Sequence, residues 1–215
     1  IFDAAFLEEI SKMKEKNIAI ELLKKLLAER VTIYQKTNLV QAEKFSDLLN
    51  RALSNYLKGL LTNEEVIQEL LKLAAEISES ENQGNELGLT AEEKSFYDAL
   101  TKPRAVQDIY TNEQLVAMTK ELTDALRKNR TIDWQKKESA RAGMRRMIKR
   151  LLKKYKYPPE EAENALETVI HQCEQWSDND SDEYSINEST QKYNFQQSYY
   201  SIAADEIHEG YNKKL

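Results

Sequence analysis

Turn-forming residues are scarce in this chain: five glycines and three prolines in 215 residues, too few for the turns of a many-stranded sandwich or barrel. Between them apolar residues recur every three or four positions, the period of a helix with one buried face. Ile18, Leu22, Leu23, Leu26, Leu27, Val31 and Tyr34 make one broad stripe. Val40, Phe45, Leu48, Leu49, Ala52, Leu53 and Tyr56 make the next, which Gly59 is placed to stop. The pattern predicts an all-α fold, a multi-helix bundle of about eight helices.

Helix starts are legible as well. Thr62 or Asn63 offers a cap, with Glu64 and Glu65 in the electropositive first turn. Val66, Ile67, Leu70, Leu71, Ala74 and Ile77 then form an inner face. Thr90 with Glu93 has capping-box spacing for a helix through Leu100, and Pro103 stops it. Thr111 or Asn112 opens a helix bearing Leu115, Met118, Leu122 and Leu126. The polar stretch Ser78–Gly88 reads as a loop. Residues 1–176 are expected to form a single compact bundle, with a subdivision near 84–88 left open. Residues 177–215 differ: an acidic tail holding five of the 11 tyrosines, in which Phe195, Tyr199, Ile202, Ala203 and Ile207 have helical spacing.

The overall charge of -6 argues, taken alone, against nucleic acid. It conceals an asymmetry, because Arg127–Lys156 carries a net +11 and the remainder -17. The island centres on a helix predicted over 134–155, with Asp133 as its cap. Trp134, Met144, Met147, Ile148, Leu151, Leu152 and Tyr155 form its apolar face. Arg141, Arg145, Arg146, Lys149, Arg150, Lys153 and Lys154 occupy much of the rest and are the candidate contact residues for a partner or for DNA phosphates. Three readings stay open at this point. The cations pair with acidic helices of the same chain, dock an acidic partner, or neutralise nucleic-acid phosphates.

Catalytic patterns are not found. There is no G-x-x-x-x-G-K-[ST] or G-x-G-x-x-G phosphate loop. His171 and Cys173 sit two apart, which turns them to different sides of a helix, so a His171/Glu167 pair is weaker than a local structural role for the histidine. One cysteine cannot form an internal disulfide and fits a reducing, cytoplasmic setting. No apolar run approaches the roughly 20 residues of a membrane span. Ile1 in place of a starting Met is read as a piece of a longer chain.

Three segments together resemble a known family: NLVQAEKFSDLLNRALSNY at Asn38–Tyr56, LGLTAEEKSFYDAL at Leu87–Leu100, and RKNRTIDWQKKESARAGMRRMIKRLLKKYKYPPE at Arg127–Glu160. They are similar to the C-terminal helical domain of the restriction (R) subunit of type I restriction-modification enzymes, over about Asn17–Trp176. The resemblance implies a non-catalytic assembly domain of an ATP-dependent DNA translocase and endonuclease. Its implied partners are the modification and specificity subunits, with DNA met through the whole complex or directly. ATP and Mg are implied only for the full-length subunit, whose catalytic motifs lie upstream, so no catalytic, cofactor or metal residue is carried over. The alternative is a DNA-binding module that uses the basic helix 134–155.

Overall fold

A computed structural model describes residues 2, 4–130 and 134–182, and for 177–182 the backbone alone. The described side chains all belong to the compact unit Ile1–Trp176. Among the described residues the elements are all helical: α1 (Ala4–Ser11), α2 (Lys16–Thr37), α3 (Leu39–Leu57), α4 (Asn63–Glu86) and α5 (Ala91–Thr101), then α6 (Arg104–Ile109), α7 (Asn112–Asn129), a 3-10 turn (Trp134–Lys136), α8 (Glu138–Lys154) and α9 (Pro159–Asp182). The all-α bundle expected from the periodicity is observed. Asp133 and the tail spacing at Phe195–Ile207 lie outside the described residues.

Local chemistry explains most of the boundaries. Thr62, Thr90 and Thr111 each accept a bond from the backbone N–H three residues on, and Glu65, Glu93 and Gln114 reach back to the cap N–H. Each reciprocal box satisfies two otherwise orphaned donors. At the other ends, α3, α4 and α8 close in the same way. Leu60 N–H donates to Asn55 O at 2.9 Å, Leu89 to Gly84 O at 3.0 Å, and Tyr157 to Leu152 O at 2.9 Å. This six-to-one bond needs a left-handed residue just before its donor. Gly59 (φ 72°) and Gly88 (φ 62°) fill that position for α3 and α4, but Lys156 (φ 58°) fills it for α8.

Three expectations are corrected. Ser78–Gly88 is not a loop, because α4 continues to Glu86. Its polar residues keep helical geometry because neighbours use them: Glu81 accepts from Arg30 and Tyr34 of α2, and a Cβ on Gly84 would lie 3.5 Å from the Lys94 stem of α5. The basic helix does not start at Trp134. Trp134 is buried in the 3-10 turn, Lys137 is extended (φ -102°, ψ 109°), and α8 begins at Glu138. Ile18, counted with the α2 stripe, is 53% exposed.

The buried apolar residues fall into two clusters. One gathers Phe2 and α1–α4 around Leu23, Leu27, Phe45, Val66, Leu70 and Ile77. The other gathers α5–α9 and Trp134 around Phe96, Leu100, Met118, Leu122, Ile148, Leu166 and Val169. Truncating one of these fully buried leucines to alanine costs about 2–5 kcal/mol. Val40 of α3 packs against the second cluster, and beside it polar side chains join the two. Asn38, the cap of α3, donates to Asp98 at 2.7 Å, and Gln41 donates to the same oxygen at 3.0 Å. Lys94 pairs with the other oxygen of Asp98. On the far side Gln172 of α9 takes the Leu39 N–H at 2.8 Å and gives its amide to Thr37 O at 3.1 Å. Its side chain thereby caps both the end of α2 and the start of α3.

Candidate functional site

Helix α8 lies between α7 and α9, with Met144, Ile148, Leu151 and Leu152 buried. These apolar positions fix the helix rotation and so decide where each of the seven predicted cations points. Arg141, Arg145 and Lys149, four residues apart, turn to α9. Arg141 Nη1 stands 2.7 Å from Glu174 Oε1, an ion pair without hydrogen-bond alignment. Arg145 forks onto both oxygens of Glu167, with Nη2 to Oε2 at 3.0 Å. Lys149 reaches Glu163 at 3.0 Å. The carboxylates run backwards along α9, so the two helices are antiparallel here. On the opposite flank Lys154 donates to both oxygens of Glu121 of α7, at 2.6 and 2.7 Å, and Tyr155 O–H donates to the same carboxylate at 2.8 Å.

These contacts hold the charged forms in place. The Arg145 hydrogen bonds keep the Glu167 carboxyl below the usual carboxylate range, and Glu167 in turn raises the Arg145 guanidinium. Lys154, then Tyr155, lower Glu121 in the same manner. Arg146, Arg150 and Lys153 are exposed and have no carboxylate partner among the described residues. Arg150 Nε donates only to the Arg146 carbonyl, at 3.3 Å. The structure thus sorts the predicted set into four cations neutralised within the chain and three turned to solvent.

A groove of about 720 Å³ lies beside Arg146 and Arg150, between α7 and α8. Its wall includes Glu121, Ala125 and Asn129 of α7, and its α8 side carries Ala140, Gly143, Met144, Met147 and Leu151 below Arg146, Arg150 and Lys154. A second cleft, about 640 Å³, opens at the polar joint beside Gln41, Asp98 and Lys102. His171 is exposed and Cys173 buried, so the two do not share a site. Among the described residues no group of His, Cys, Asp or Glu is arranged to hold a metal ion, and no helix is long and apolar enough to cross a membrane.

The acidic half of the arrangement escaped the sequence reading. Glu163, Glu167 and Glu174 share one face of α9, a spacing of four and seven visible in the sequence. The family model for the C-terminal region of type I restriction enzyme HindI endonuclease subunit-like proteins matches residues 1–179. This chain belongs to that family. It is 38% identical over 170 residues to the type I restriction enzyme HindI endonuclease subunit of Haemophilus influenzae, covering 79% of this chain and 16% of the relative. It is 31% identical over 150 residues to a provisionally named type I restriction enzyme MjaIXP endonuclease subunit of Methanocaldococcus jannaschii, covering 69% of this chain and 14% of that one. No solved structure matches. The chain therefore corresponds to a C-terminal domain of a type I restriction R subunit and spans about one sixth of these relatives' lengths.

Proposed function

We propose that this domain is a non-catalytic assembly module, joining the R subunit to a methyltransferase core of modification and specificity subunits in cytoplasmic DNA restriction. The observation that carries the reading is the division of charge on α8. Internal pairing uses Arg141, Arg145, Lys149 and Lys154, and leaves Arg146, Arg150 and Lys153 on an exposed stripe of a C-terminal R-subunit domain. A stripe that the described residues do not neutralise has potential available for a complementary surface. ATP, Mg and DNA cleavage belong, in this reading, to other parts of the full-length subunit. The test is retention of the 215-residue chain on an immobilised modification–specificity core. Binding in the absence of DNA is expected. Binding that appears only with DNA overturns the assembly role, and DNA-stimulated ATP hydrolysis by the purified chain overturns the non-catalytic one.

A second reading, direct binding to DNA, draws on the same three cations. Each phosphate neutralised should contribute about -0.9 to the slope of log affinity against log salt, hence about -3 for three contacts. Absence of duplex binding at low salt removes this reading.

A further inference from the structure

The groove between α7 and α8 has a property that a solvated basic face lacks. Its floor is apolar and low: Ala125 on one side, Ala140, Gly143 and Met147 on the other. A Cβ added at Gly143 would meet no atom within 4 Å, so the space above this residue is open. Arg146 and Arg150 line the same groove one helical turn apart, exposed and without carboxylate partners among the described residues. Small residues let a second backbone come close, and methionine adapts to whatever surface it meets. Ala140 to Lys154 spans roughly 21 Å of helix, or about four turns.

A phosphodiester backbone would use the cations and leave the floor wet. An acidic peptide helix with one apolar face would use both. We infer that the groove receives an acidic amphipathic helix from a partner subunit, its apolar face over Gly143 and Met147 and its carboxylates on Arg146 and Arg150. The inference rests on the assembly reading and gives it a location and a partner chemistry.

The experiment measures the affinity of the 215-residue chain for the purified modification–specificity core, comparing the parent with Gly143→Leu, Gly143→Ala and the double variant Arg146→Glu/Arg150→Glu. Both altered sites are open or exposed, so the fold is retained, which circular-dichroism melts verify. Gly143→Leu and the charge reversal should each weaken binding by about tenfold or more, a loss near 1.4 kcal/mol, whereas Gly143→Ala should bind almost as the parent does. If the parent binds and neither Gly143→Leu nor the reversal weakens it, the groove is not the site and the assembly reading stands without it. If the parent itself does not bind, the assembly reading fails and the inference with it. A short DNA duplex that displaces the core from the parent chain makes nucleic acid the occupant and overturns the inference. Self-association of the chain that Gly143→Leu abolishes makes a second copy the occupant, with the same consequence.

Discussion

Arg145 of α8 and Glu167 of α9 face each other as a forked pair, Nη1 donating to Oε1 and Nη2 to Oε2. The side chains are 35% and 40% exposed, so water screens the attraction and the pair contributes under about 1 kcal/mol. Its pH signature is clearer than its size. Glu167 and Glu121 are both held below the ordinary carboxyl value of 4.5 in the fold. The unfolded chain therefore binds more protons in the acidic range, and stability rises with pH there. The contribution is complete above the unfolded value and is lost as pH falls through the lowered ones. Urea midpoints measured from neutral pH downward should fall on acidification. Glu121→Gln/Glu167→Gln should show a shallower fall than the parent, and identical slopes would show that these pairs do not contribute.

The joint between the two apolar clusters predicts an asymmetry. Lys94 and Asp98 are 9% and 7% exposed, and Asp98 also accepts from Asn38 and Gln41. Asp98→Ala leaves a buried ammonium and two amides without their acceptor, and should cost about 3–5 kcal/mol. Lys94→Met removes one donor, fills a similar volume, and leaves Asp98 with two bonds. It should cost clearly less, and chemical denaturation of the two variants orders them. Equal losses would mean that Asp98 does not organise the joint.

Much of this fold was open to reading because its signals are local. The boxes at Thr62 and Thr90 lie within four residues of sequence, and the stop at Gly59 within one. The charge island was equally visible, but periodicity assigns a cation to a helix face without saying what covers that face. Sorting Arg145 from Arg146 required knowing that α9 passes antiparallel with Glu163, Glu167 and Glu174 turned toward α8, a long-range fact. Lys94 is a related case. It follows Glu92 and Glu93 and reads as a surface residue, yet it is buried between Gly84 and Asp98. The division into two clusters, left open near 84–88 by the sequence, falls across a helix rather than a loop, because Ser78–Glu86, polar enough for a loop, is held helical by its neighbours.

Gln172 offers a test of the α2–α3 turn. It is fully buried, and its amide serves Thr37 O and the Leu39 N–H. Gln172→Leu preserves shape but orphans both backbone groups, at about 1–3 kcal/mol each. Gln172→Glu keeps the acceptor and loses the donor, bringing a carboxylate against the Thr37 carbonyl. Both should lower the melting temperature, and amide hydrogen exchange at Leu39 should accelerate in Gln172→Leu. Unchanged exchange there would show that the bond to Leu39 gives no protection.

The close of α8 carries the last prediction. Gly59 and Gly88 take left-handed backbone where α3 and α4 end, and Lys156 takes the same conformation where α8 ends. For a residue with a Cβ that conformation costs roughly 1–2 kcal/mol. The fold holds it because Tyr157 N–H reaches Leu152 O and Tyr157 O–H reaches Leu100 O at 2.6 Å, tying the turn to α5. Lys156→Gly removes the steric cost and keeps both bonds, while gaining some freedom in the unfolded chain. The net should be a stabilisation of about 1 kcal/mol, read as a higher urea midpoint with an unchanged slope. Lys156→Val should shift the midpoint the other way, since a β-branched side chain tolerates this conformation least. If glycine destabilised this position, the turn would owe its stability to the lysine side chain rather than to the closing backbone bonds.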